Sequence, residues 1–266
     1  MDYVRLYLDF IKIRSQAQME NRTAFFLSSI AKIMGFGAEA LIIWVMINQF
    51  KTIAGWSAYE VMFLFSLNLT TYSLAAFFFF HPFTKLPFRV QTGEFDEILT
   101  KPLNPLMYLV CREVSSGYFG NLVVSISVGI FCIIKLGILI TLVNILVLIL
   151  ALLGGTLIQG AIFIFAFVPS FWLIQNNSLS NILMDIKGFI RFPISIYDRG
   201  IQILLTLVLP YAFINFYPAQ YFLKKNDCLM FHSVFRYLSI FVGIIVFTGA
   251  YFFWKIALKH YKSTGS

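Results

Sequence analysis

The sequence predicts an all-α polytopic membrane protein with six transmembrane helices, an N-terminal interfacial helix and re-entrant outer helices. Three observations predict it. Hydrophobic residues make up 59% of the 266 and charged residues 12%, against roughly 25% charged in a soluble domain. Apolar stretches long enough to cross roughly 30 Å of hydrocarbon recur along the chain. Lysine and arginine, which set the net charge of +8, lie at the edges of those stretches and in the terminal segments. That distribution fits cytoplasmic loops better than a nucleic-acid surface, and so many spans leave no room for a soluble catalytic domain.

Residues 1–23 place Asp2, Arg5, Asp9, Lys12 and Gln16 at spacings of three and four, with Leu6, Tyr7, Phe10 and Ile13 toward the other side. This pattern predicts a helix lying in the membrane interface, or alternatively a solvated N-terminal arm. Its charges are too evenly scattered for a cleaved signal peptide. Residues 24–258 form the transmembrane domain, with spans predicted at 25–50, 59–83, 106–134, 138–168, 171–192 and 234–257. The fifth carries Gln175, Asn176, Asn177, Asp185, Lys187 and Arg191, too polar to face lipid, so it is expected inside the protein or beside water. Lys255, Lys259 and Lys262, the last two in the tail 259–266, join Arg5, Lys12, Arg14 and Arg22 in placing both termini in the cytoplasm. An even number of crossings follows, with loop 84–105 cytoplasmic and segment 193–229 outside. The latter is apolar yet broken by Pro210 and Pro218. Two half-helices that dip into the outer leaflet and return fit it, as does a full span at 201–221. No internal or inverted repeat of the kind found in many secondary transporters is present.

The chain has no GxxxxGK[ST], HExxH or GxSxG motif. His81, His232 and His260 lie on three separate segments. Cys111, Cys132 and Cys228 are odd in number, without CxxC spacing, and read as small buried thiols rather than a disulfide or metal set. The expectation is a protein that is not an enzyme and binds no cofactor itself. Charges inside spans are the remaining functional candidates, because they are costly there. Lys32 lies near enough to the cytoplasmic interface to snorkel. Glu39 lies deeper and is expected to face a subunit interface or a polar pathway. Asp185, Lys187 and Arg191 are similar candidates, with Lys187 and Arg191 four apart on one face. For each, a structural salt bridge to a neighbouring helix stands beside contact with substrate.

Loop 84–105 contains GEFDEILTKPLNP, in which Glu94, Asp96 and Glu97 alternate with Phe95, Ile98 and Leu99 before Pro102 and Pro105. It predicts a brief rigid helix near the membrane, suited to a groove on another protein or simply solvated. The pattern Gly93-x-x-Asp96-x-x-Leu99-x-x-Pro102-x-x-Pro105 resembles the loop between the second and third spans of bacterial ABC-2 type export permeases, especially the branch with two permease genes beside one ATPase gene. Phe171-Trp172, Phe192-Pro193, Pro210 and Asn215-Phe-Tyr-Pro218 resemble that branch's fifth span and outer segment.

The resemblance implies the type-2 ABC exporter fold in a bacterial cytoplasmic (inner) membrane. Its cytoplasmic coupling helix comprises Gly93, Glu94, Phe95, Asp96, Ile98, Leu99 and Pro102, docked on a separate ATPase dimer that carries ATP and Mg. Phe192, Pro193, Pro210, Asn215 and Pro218 become outer re-entrant or gate positions. A second permease copy or a sister permease completes the pathway, and the other partners are membrane lipids, with no nucleic acid. An aromatic content of 18% fits a hydrophobic or amphipathic cargo such as a drug, lipid or metabolite, and equally lipid-facing bulk and interface belts. The alternative is a secondary transporter or channel using the transmembrane charges. An intramembrane enzyme is a third class, weakened by the missing catalytic constellation.

Overall fold

The structure, a computed structural model, describes residues 3–20, 22–50, 52–53, 55–173, 177–225 and 231–262. Helix α1 (Tyr3–Glu20) leads into α2 (Arg22–Phe50), whose 29 residues reach about 43 Å at 1.5 Å per residue. A two-residue strand pair that the hydropathy pattern does not announce, β1 (Thr52–Ile53) with β2 (Trp56–Ser57), turns through Gly55 at φ 80. Ser57 then starts α3 (Ala58–Thr84) with a capping box, its N–H donating to the Glu60 carboxylate at 2.7 Å. Short helices α4 (Leu86–Gln91), α5 (Glu94–Leu99) and α6 (Pro105–Arg112) follow, then α7 (Phe119–Lys135) and α8 (Leu142–Phe167). The chain continues through α9 (Asn177–Ile186), α10 (Arg199–Ile203) and α11 (Phe216–Leu223) to α12 (Ser239–His260).

Helices α3 and α8 form the centre of the bundle, with α7 and α2 against α3 and α12 against α8. The α8–α12 approach depends on glycine at both sides: a Cβ on Gly243 would lie 2.5 Å from the Gly154 carbonyl oxygen, and one on Gly154 would overlap the Ser239 backbone. Among the polar side chains inside the bundle, Gln159 Nε2 donates to Asn68 Oδ1 at 3.0 Å, and the Thr70 and Ser125 hydroxyls lie 3.0 Å apart. One apolar core gathers Trp56, Phe63, Tyr211 and Phe216 at the strand-pair end. A second gathers Phe83, Phe95, Leu109, Phe163 and Trp254 at the other.

Among the described residues, Ala58–Gln91, Leu142–Phe171 and Ser239–His260 are long and apolar enough to cross a membrane. The pair Arg199–Val208 and Tyr211–Leu223, bent by 75°, makes a fourth if it is one span. Three predicted spans, 25–50, 106–134 and 171–192, are not among these; the first is continuous within α2. Residues 106–134 are not one helix: α6 ends at Arg112, capped by Glu113, and the Ser115 N–H leaves the helical ladder to donate to the Phe77 carbonyl at 3.0 Å. An apolar run does not reveal such a break, because its cause is a cross-chain bond. Within residues 171–192, α9 has ten residues and passes into a 3-10 turn over Lys187–Arg191, too short together to match the predicted length. Cys111 and Cys132 are buried free thiols, while Cys228, Gln175 and Asn176 lie outside the described residues.

Candidate functional site

The loop after α4 folds as a helix with two dissimilar sides. Gly93 enters α5 at φ 76, a left-handed conformation that favours glycine. Phe95 and Ile98 turn inward and are buried. The Phe95 ring meets Phe171 at 5.0 Å, Tyr261 at 5.2 Å and Trp254 at 6.1 Å, edge-on in each case. Glu94, Glu97 and Pro102 face outward, as does Leu99, which is 41% exposed. Asp96 is partly buried beside the Tyr261 hydroxyl, whose pKa burial, followed by the Asp96 carboxylate, pushes up to about 12. Asn104 ends the loop by accepting the N–H groups of Leu106 and Met107 at 3.0 and 3.2 Å, with Pro105 at the first helical position. The groove contacts expected of Phe95 and Ile98 are therefore made inside this chain. An amphipathic helix beside an open aromatic core buries its apolar side there first.

Beneath α5 lies a charge cluster that sequence reasoning missed. The buried Glu113 carboxylate receives Lys85 at 2.9 Å, contacts Arg89 directly, and has Arg14 of α1 at 3.6 Å. Arg89 also reaches Glu94 of α5 at 4.0 Å. Burial pushes the Glu113 carboxyl up, but the hydrogen bond from Lys85 and the charge of Arg89 outweigh it and hold the group below its usual range. The available signal was a carboxylate inside an otherwise apolar run, beside Arg112. In the structure Arg112 turns instead to Glu97, 3.9 Å away.

Within the bundle, a cavity of about 170 Å³ lies between α2, α3 and the Lys187–Arg191 turn. Arg191 donates to Glu39 at 3.0 Å, and the Lys187 ammonium sits 3.1 Å from the centre of the Tyr72 ring. Phe36, Phe65 and Met184 complete its apolar wall. Three of the four sequence candidates thus meet in one wall, while Asp185 is exposed and does not line the cavity. The Lys32 side chain lies outside the described residues. A charge at mid-bilayer costs about 3 kcal/mol or more. Glu39 and Arg191 neutralise one another, whereas Lys187 has a ring face, worth about 2 kcal/mol when desolvated.

The segment 193–223 is tied to this wall. Asn215, buried, donates its Nδ2 to the Ile190 carbonyl at 2.7 Å and to that of Leu64 at 3.3 Å, and the Tyr211 hydroxyl donates to the Leu183 carbonyl at 2.8 Å. Pro210 occupies the bend between the two halves, Pro193 and Pro218 are buried, and Phe192 packs at the edge of the core. A second cavity, about 750 Å³, includes Glu60, Asn144, Tyr221, Lys224 and Arg236 in its lining. Glu60 there is already paired with Lys225 at 2.8 Å.

Among the described residues no three His, Cys, Asp or Glu side chains are placed to hold a metal ion. A family model described as ABC-2 family transporter protein matches residues 33–265. No curated protein and no solved structure matches the chain.

Proposed function

The chain belongs to the ABC-2 family of transporter proteins, and on that premise we propose that it is the permease of an ATP-driven exporter, coupled through α5 to a separate ATPase. As a family member it is a membrane permease component of an ABC-type transport system, forming a translocation pathway and lacking a nucleotide site of its own. The observation that carries the coupling reading is the two-sided α5, gripped from within by Phe95 and Ile98 and presenting Glu94, Glu97 and Leu99 outward.

A displacement of α5 has two routes into the bundle. Phe95 wedges between Phe171, at the end of α8, and Trp254 of α12. Glu94 pulls on Arg89, which shares Glu113 with Lys85 and Arg14 and so joins α4, α6 and α1. For ATP to drive transport, the ATPase must hold the outward face of α5 differently in its two nucleotide states, since equal contacts shift no equilibrium. ATP and Mg belong to that partner, and a second permease copy or a sister permease closes the pathway.

The topology we propose has six crossings: α2, α3, α7, α8, α9 with its 3-10 turn, and α12. The bent pair enters from outside and returns, and both termini lie in the cytoplasm of a bacterial inner membrane. A short fifth crossing is tolerable where neighbouring helices satisfy its backbone. The aromatic lining of the 170 Å³ cavity suits a hydrophobic or amphipathic cargo.

The test is purification of the chain from its native membrane in mild detergent, with assay of ATP hydrolysis by whatever accompanies it. An ATPase subunit is expected to come with the wild-type chain. Glu97→Ala combined with Leu99→Ala, both exposed, is expected to leave the permease folded and to weaken its hold on the ATPase roughly tenfold. Undiminished ATPase binding and stimulation by that variant would sink the role of α5.

A further inference from the structure

We propose that the cavity between α2, α3 and the Lys187–Arg191 turn receives the anionic group of an amphipathic cargo, a carboxylate or phosphate. The inference deepens the permease reading and rests on it. Its first support is the count of charges in the wall. Glu39 pairs with Arg191 at 3.0 Å, and among the described residues Lys187 has no carboxylate within 4.0 Å, so two basic side chains share one carboxylate in the wall. An ammonium inside a membrane protein without a carboxylate is stabilised further by any anion that enters. Arg191 adds a planar fork of donors beside it.

The second support is what the cavity cannot attract. A cationic cargo would be repelled by Lys187 and Arg191, and the Tyr72 face is already covered by the Lys187 ammonium at 3.1 Å. Phe36, Phe65 and Met184 remain for the apolar part of the cargo. The larger outer cavity repeats the sign: among its described lining residues Lys224 and Arg236 are cationic, and Glu60 is held by Lys225.

The experiment uses the purified full chain in maltoside micelles with two probes that share one ring system, pyrenebutyrate and pyrenebutanol, and reads binding by fluorescence anisotropy. Wild type is expected to bind the carboxylate roughly tenfold tighter than the alcohol. Lys187→Gln erases that preference, whereas Lys187→Arg and Lys259→Gln, the latter exposed in the last turn of α12, retain it. Equal binding of the two probes by wild type overturns the inference, as does loss of the preference in Lys259→Gln. As a second measurement, a photoactivatable diazirine fatty acid is expected to crosslink to α2 and α9; crosslinks confined to other elements also overturn it. Phosphatidylglycerol added to the micelles separates the sources of the anion: displacement of pyrenebutyrate identifies a lipid headgroup, and no displacement identifies a freely diffusing amphiphile. ATPase co-purification reads the permease role independently, so a chain that carries its ATPase but prefers neither probe loses this inference alone.

Discussion

Glu113 ties together the end of the bundle that carries loop 84–105, through cations from α1, from the α3–α4 junction and from α4 itself. Glu113→Gln leaves Arg89, nearly buried, without its main counter-charge. Loss of one partner of a buried pair costs about 3 kcal/mol, to be read from denaturant unfolding in detergent. The pH dependence has a definite sign. The folded carboxyl lies below its ordinary value, so its contribution is complete above the ordinary carboxylate pKa and is lost as pH falls through the depressed value. Wild type should therefore lose stability with acidification more steeply than Glu113→Gln, and equal slopes would contradict the cluster's role. The residue scale also shows where sequence reading stops. Glu39 was legible as too deep to be idle, but its partner Arg191 is 152 positions away, and no helical spacing relates the two. Asp96, legible as part of the loop's acidic face, instead lies beside Tyr261 near the end of the chain.

At the scale of elements, the α8–α12 pair rests on two glycines. In Gly243→Ala the new Cβ would meet the Gly154 carbonyl oxygen at 2.5 Å, and backbone atoms do not yield as a flexible side chain does. A loss of about 3 kcal/mol is expected from overpacking at such a contact. Gly249→Ala, on the same helix with nothing within 4 Å, serves as the comparison and is expected to change stability by less than about 0.5 kcal/mol. Similar melting behaviour of the two variants would argue against a close α8–α12 seam. The lengths of α3, α8 and α12 were readable because hydropathy sums over neighbours in sequence. The break between α6 and α7 was not, because it depends on the Phe77 carbonyl and on cations from three other segments. For the same reason the apolar side of α5 looked free for a partner until Phe171, Trp254 and Tyr261 were placed around Phe95.

For the molecule as a whole, the proposed orientation places the strand pair and loop 84–105 on opposite sides of the membrane. Thr52→Cys and Thr100→Cys, both at exposed positions and each in a background lacking native cysteines, test it. An impermeant maleimide applied to intact cells is expected to label the first alone, and the second only after permeabilisation; the reverse pattern would invert the topology. That the chain is a membrane protein of long apolar helices with a short acidic loop between two of them was determined by the sequence itself, since composition and hydropathy are sums over local residues and need no fold. Which charges meet, where an apolar run breaks, and which side of α5 is left for a partner were decided by tertiary structure alone. Ion pairs and packed rings depend on distances between residues far apart in the chain, and only the folded bundle sets those distances.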